Sequence, residues 1–139
     1  MENFKRILKD KNLKVTKGRL EVMDILYHSP LPMNTEHIFD SLHGESSPSF
    51  TSLYRILNQL SNEGILHKNI YQDGIYYYEF ASKKHRHYIV CSQCKRMEEV
   101  SHCPMKSFEE QISKETGFIV KDHTIELEGL CPTCQKSGY

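Results

Sequence analysis

Apolar positions fall at helical spacing over the first part of the chain and change to alternating, β-prone runs later. Over residues 2–11, Phe4, Ile7 and Leu8 share one side, which predicts a helix. Thr16 suits the N-cap of a second helix, in which Leu20, Met23 and Leu26 recur. The prolines of "HSPLPMN" end it, and Asn34 or Thr35 suits the cap of a short helix carrying Ile38, Phe39 and Leu42. "HGESSPS" has loop composition. The strongest pattern follows in "SFTSLYRILNQLSNEG", where Leu53, Ile56, Leu57 and Leu60 form one stripe between a Ser49 cap and a Gly64 stop. Thr51, Tyr54, Arg55 and Asn58 then lie on the opposite face.

Two β-prone runs around Gln-Asp-Gly in "ILHKNIYQDGIYYYEF" predict a hairpin. Helices followed by a two-stranded wing are the pattern of a winged helix-turn-helix, whose last helix enters the DNA major groove. After about residue 82 the pattern changes to a small α+β unit. "HYIV", "RMEEV", "FIVK" and "TIELEG" read as strands. "PMKSFEEQISKETG" reads as a helix with Pro104 at its first position, Phe108 and Ile112 facing inward, and Gly117 ending it. The expected organisation is a DNA-binding domain over residues 1–81 and a second domain over 82–139, with "ASKK" as the hinge.

Net charge is zero, so bulk charge points to no polyanionic partner, but its distribution does. Residues 1–19 carry Lys5, Arg6, Lys9, Lys11, Lys14, Lys17 and Arg19 against Glu2 and Asp10. A basic arm beside Thr51, Tyr54 and Arg55 makes Lys14, Arg19, Thr51, Tyr54 and Arg55 the candidate DNA-binding residues; a solvated helix face is the plainer reading. The sequence shows neither an apolar run of membrane-spanning length nor a signal-peptide pattern, so a reduced, cytoplasmic setting is expected.

In that setting the pairs Cys91/Cys94 and Cys131/Cys134, each C-x-x-C, read as zinc before disulfide. Two such turns complete a closed shell of four thiolates, which is structural and not catalytic. The tail "LCPTCQ" lacks the proline and the His-x-Glu of zinc deaminases, and no nucleophile elbow or phosphate loop is present, so an enzyme is not expected.

His85 and His87, two apart on a strand, point to one face. They are either half of a nitrogen-rich metal site or a pair of solvated histidines. With Glu79 supplying an oxygen, they form the expected regulatory site beside the hinge. Glu99, His102, Cys103 and His123 are weaker candidates. Cys103 is open to three roles: a half-buried small hydrophobe, a redox-sensitive thiol or an auxiliary ligand.

Taken in order, "LKVTKGRLEVMDIL", "SLYRILNQLSNEGIL", "HRHYIVCSQC", "MEEV", "DHTIELEGLC" and "CPTC" resemble the blocks of the ferric uptake regulator family. The resemblance covers nearly the whole chain. It implies a winged-helix domain, a hinge and an α+β dimerisation domain, in a homodimer that binds a near-palindromic double-stranded DNA operator when metal-loaded. It implies Lys14 in the minor groove, Tyr54 and Arg55 on the recognition helix, and structural zinc on Cys91, Cys94, Cys131 and Cys134. Glu79, His85 and His87 correspond to regulatory ligands if one extra residue precedes Cys91. Without that gap the two histidines fall on the family's second site, beside His123. Pro32 stands where many members carry a ligand histidine, and Lys84 and Arg86 replace two second-site positions. "SHCPM" is similar to zinc uptake regulators of Gram-positive bacteria, so zinc is expected ahead of iron or manganese at the regulatory site. An iron or peroxide-responsive regulator, and a zinc-stabilised DNA-binding module without sensing, are the alternatives.

Overall fold

The computed structural model describes residues 2–71, 74–83, 86–100 and 103–137. The chain divides into two compact units, residues 1–84 and 85–139. The short turn Ala81–Lys83 thus falls with the first unit, three residues beyond the boundary expected from composition. At its start the Ala81 N–H donates to the Ile65 carbonyl, 3.0 Å.

In the first unit, helices α1 (Glu2–Asp10), α2 (Lys17–His28), α3 (Thr35–Asp40) and α4 (Phe50–Asn62) surround a small sheet. Side-chain caps start three of them. Thr16 accepts from the Arg19 N–H, Asn34 from that of His37, and Ser49 from that of Ser52. Each such cap satisfies an orphan donor and contributes about 1 kcal/mol. Gly64, at φ +77°, lets the chain leave α4 and turn into the sheet.

Strands β2 (Leu66–Ile70) and β3 (Tyr76–Phe80) form the expected hairpin, antiparallel with Leu66 opposite Phe80. The Gln72-Asp73 turn signal lies outside the described residues. A further strand, β1 (Met33–Asn34), pairs with β3, giving the order β1-β3-β2. One apolar cluster joins all of this. Leu53, Leu57 and Leu60 of α4 pack with Leu8, Val22, Met23, Leu26, Ile38 and Tyr78, all buried. Phe4 stacks on Phe80, with ring centroids 5.7 Å apart, and fastens α1 to the sheet.

The second unit has a sheet of order β5-β4-β6, formed by β4 (His87–Cys91), β5 (Met97–Val100) and β6 (Leu127–Gly129). β5 runs antiparallel to β4, and β6 parallel to it. Helix α5 (Met105–Thr116) ends at Gly117, φ +76°, as expected, but begins one residue later than expected, with Pro104 as its cap. Two expectations fail here. "FIVK" is not a strand, and Phe108 does not face inward: it is half exposed, and α5 buries no residue. A β-prone run becomes a strand only beside a free sheet edge, and an apolar helix position is buried only under a covering layer. Within one chain, Phe118 and Ile119 have neither, at 72% and 86% exposed. Helix α6 (Pro132–Lys136) closes the described chain.

Candidate metal centres and nucleic-acid face

The parallel pairing of β6 with β4 sets Cys91 opposite Gly129. That register carries Cys131, the residue before α6, and Cys134, inside it, to the turn after β4. Lys95, at φ +67°, closes the turn with its N–H on the Cys91 carbonyl, 3.0 Å, and so presents Cys94. The donor atoms of Cys91, Cys94, Cys131 and Cys134 all lie within 4.8 Å of one another. The Cys94 and Cys131 sulfurs are 3.8 Å apart. A tetrahedral zinc–thiolate shell with bonds of about 2.3 Å has edges of about 3.8 Å. The cluster therefore fits a structural zinc site.

The electrostatics agree. The backbone N–H groups of Cys131 and Cys94 draw the Cys91 thiol down to about 6. Burial, and then the neighbouring sulfurs of Cys131, Cys91 and Cys94, push the Cys134 thiol up to about 12. Four thiolates at this spacing repel one another and are compatible only with a shared cation.

A second cluster forms in the same unit from His87, Cys103 and His123. His87 opens β4, Cys103 precedes α5, and His123 lies between α5 and β6. The Cys103 sulfur is 3.2 Å from His87 Nε2 and 3.3 Å from His123 Nε2, and the two nitrogens are 3.0 Å apart. Tetrahedral bonds of about 2.0 Å to nitrogen and 2.3 Å to sulfur give edges of about 3.3 Å between nitrogens and about 3.5 Å from nitrogen to sulfur. The triangle is a few tenths of an ångström tighter than that, and its donor set suits a divalent transition metal. On the far side of its ring, His123 Nδ1 faces the Glu109 carboxylate at 3.4 Å. A carboxylate there holds the proton on Nδ1 and leaves Nε2 free to bind. Glu109 was missed by sequence reasoning. Its only signal is its place on α5, and that becomes informative once His123 is known to lie beside it.

Of Glu79, His85 and His87, the expected regulatory residues, His87 belongs to the second cluster. His87 is turned to Cys103 and His123. His85 and His102 lie outside the described residues. Glu79 belongs to β3 of the first unit, where it is buried and lies opposite His67 of β2. Glu99 joins neither cluster. Val100 is opposite His87 and Glu99 opposite Tyr88, so strand alternation sends Glu99 to the other face. There it pairs with Arg86 at 3.7 Å. The ungapped registration, with His87 beside His123, is the one that matches this geometry.

On the first unit, Thr51, Tyr54 and Arg55 are exposed along the first turns of α4, opposite its buried stripe. Lys14 is exposed on the segment before α2. Arg19 has internal partners. Its guanidinium donates to the Lys14 carbonyl, 2.6 Å, and to the Gln59 side-chain oxygen, 2.7 Å. It ties the arm to α4.

The family model described as the ferric uptake regulator family matches residues 10–128. The ferric uptake regulation protein of Neisseria meningitidis serogroup A is 31% identical over 142 residues, covering 99% of each chain. The Helicobacter pylori ferric uptake regulator structure superposes with a TM-score of 0.82 at 27% identity, over 96% of this chain and 90% of that one. The Vibrio cholerae ferric uptake regulator gives 0.79 at 26% identity, over 91% and 98%. The narrower likeness to zinc uptake regulators is not carried by these relatives. No described helix is long and apolar enough to cross a membrane. This chain belongs to the ferric uptake regulator family, whose members are metal-responsive, DNA-binding transcription regulators and not enzymes.

Proposed function

We propose that this chain is a cytoplasmic, homodimeric repressor that binds a near-palindromic operator when a regulatory metal occupies the His87, Cys103 and His123 cluster, and so controls genes of metal uptake. The observation that carries the proposal is that cluster itself: two imidazoles and one cysteine sulfur converge at 3.0–3.3 Å, apart from the four cysteines. A four-thiolate shell is closed and holds its zinc as structure. The three donors found among the described residues, two of them imidazoles, suit a more exchangeable ion than four thiolates do. The relative from Helicobacter pylori is described as having three functional metal-binding sites, which agrees with more than one site here.

Zinc is the proposed regulatory metal. A thiolate among imidazoles favours zinc over manganese, which prefers oxygen donors. The second reading is iron, supported by the names of the relatives. Nε2 of His87, Nε2 of His123 and the sulfur of Cys103 would hold the ion, and Glu109 would fix the His123 ring. The ion supplies the positive charge that joins three separate segments of the unit.

Exposed Tyr54 and Arg55 suit base reading from α4, Thr51 suits the backbone, and Lys14 suits a phosphate or the minor groove. Arg19 supports the arm from behind. The uncovered Phe108, Phe118 and Ile119 suit burial against a second copy. A metal that binds the DNA-competent state about a hundredfold better contributes about 2.7 kcal/mol to it, enough to switch occupancy of an operator.

The test is DNA affinity against buffered free zinc, iron(II) and manganese(II), using duplexes selected from a random pool by the loaded protein. Tightening at low free zinc, with two zinc ions per chain, is the expected result. Tightening with iron(II) alone selects the second reading. Affinity that ignores every metal beyond the first zinc would reduce the chain to a constitutive DNA-binding module.

A further inference from the structure

We infer that Cys103 makes the second metal cluster a thiol switch, in which two-electron oxidation of its sulfur releases the regulatory ion and the DNA. The inference rests on the regulatory reading of that cluster.

The two clusters differ in what one lost sulfur means. Among the four cysteines, three thiolates remain. Among the described residues of the second cluster the sulfur is one of three donors, and its loss leaves the two imidazoles, whose nitrogens are 3.0 Å apart. Zinc has no redox chemistry of its own, so an oxidant meeting a zinc-loaded site acts on the ligand. Cys103 is partly buried, as Cys131 is, while Cys94 is exposed and Cys91 and Cys134 are buried; what sets Cys103 apart is its place between two imidazoles and not its exposure. It also has no resolving partner within the cluster. Its polar contacts are the two imidazole nitrogens, and the remaining four cysteines are grouped elsewhere.

The chemistry balances with hydrogen peroxide as oxidant. The Cys103 thiolate attacks one peroxide oxygen, an S–O bond forms and the O–O bond breaks. Two electrons pass from sulfur to the departing hydroxide, which takes a proton and leaves as water. The sulfur becomes a sulfenic acid, a far weaker metal donor than a thiolate. A small thiol reverses the step. It condenses with the sulfenic acid to a mixed disulfide and water, and a second thiol then frees Cys103 as the external disulfide leaves.

The experiment uses the full chain loaded with two zinc ions, treated with near-stoichiometric hydrogen peroxide. Released zinc is read with a chromogenic chelator, Cys103 oxidation by mass spectrometry after trapping with a sulfenic-acid reagent, and DNA affinity in parallel. The expected result is loss of one zinc per chain, modification centred on Cys103, at least tenfold weaker DNA binding, and recovery after a small thiol and fresh zinc. Cys103→Asp, which keeps an anionic donor without an oxidisable sulfur, should bind its second zinc more weakly, and peroxide should release no more of that zinc than dilution alone does. Retention of both ions with Cys103 unmodified would overturn the inference, as would modification centred on Cys94 or equal zinc release from Cys103→Asp. Each of those outcomes leaves the regulatory reading intact. A parent protein whose DNA binding ignores zinc before any oxidant is added removes that reading itself, and the inference with it.

Discussion

The first unit closes a continuous apolar cluster around α4, whereas the described side chains buried in the second are His87, Tyr88, Cys91 and Cys134. One unit is held by hydrocarbon, the other largely by donor atoms. Apolar burial stabilises at roughly 25 cal/mol per Å² whatever the metal supply. Donor clusters are stable only with their ion, so binding energy there is folding energy. The contrast suits a regulator. On the proposed function, the unit that reads DNA would keep its shape, and the unit that reads metal would change stability with occupancy.

The largest effect expected from breaking this contrast is in the four-cysteine cluster. Cys91→Ser or Cys134→Ser should lose structural zinc and the fold of the second unit together, because structural zinc contributes apparent energies of about 10–16 kcal/mol. Metal content and sedimentation measure it; a zinc-free variant that stays dimeric and folded would refute the assignment. Next in size is Leu57→Ala in α4, whose side chain is fully buried. It should cost the first unit about 2–5 kcal/mol in denaturant unfolding. Zinc content should be unchanged, because Leu57 lies in the apolar cluster of the first unit and both groups of metal donors lie in the second.

Much of the first unit was legible because its signals are local. Ser49, Leu53, Leu57, Leu60 and Gly64 lie within one element and specify α4 between them. The two-residue strand β1 was not legible, since Met33 and Asn34 become a strand only by pairing with Tyr78 and Tyr77, far along the chain. The same division runs through the metal clusters. Each C-x-x-C announces itself within four residues, and two pairs find each other by elimination. His87, Cys103 and His123 were all candidates, but their grouping depends on sheet register and the position of α5. Spacing alone favoured His85 with His87. Glu109 became readable only beside His123, and the exposure of Phe118 and Ile119 follows from an uncovered layer that no periodicity reveals.

Smaller effects sharpen the comparison at the two functional surfaces. Arg55→Ala should weaken selected-duplex binding by about 1–3 kcal/mol if its contact is to a base, with the fold intact. Lys14→Ala should instead lower the salt dependence by about one phosphate contact. Titrations across salt on selected and scrambled duplexes separate the two, and unchanged affinity in Arg55→Ala would remove α4 from recognition. Glu109→Gln should weaken zinc at the second cluster by about 10–100-fold while the first zinc stays bound. Competition with a zinc-buffering dye reads that value, and an unaltered affinity would leave Glu109 without a role in orienting His123.

The central claim is that the two clusters have separate jobs, and His123→Ala tests it most directly. The measurement is DNA affinity across buffered free zinc for a variant that retains its four cysteines. The account predicts a folded dimer holding one zinc per chain, with weak DNA binding that no longer responds to the metal. A His123→Ala protein that tightens on DNA with zinc as the parent does would contradict it.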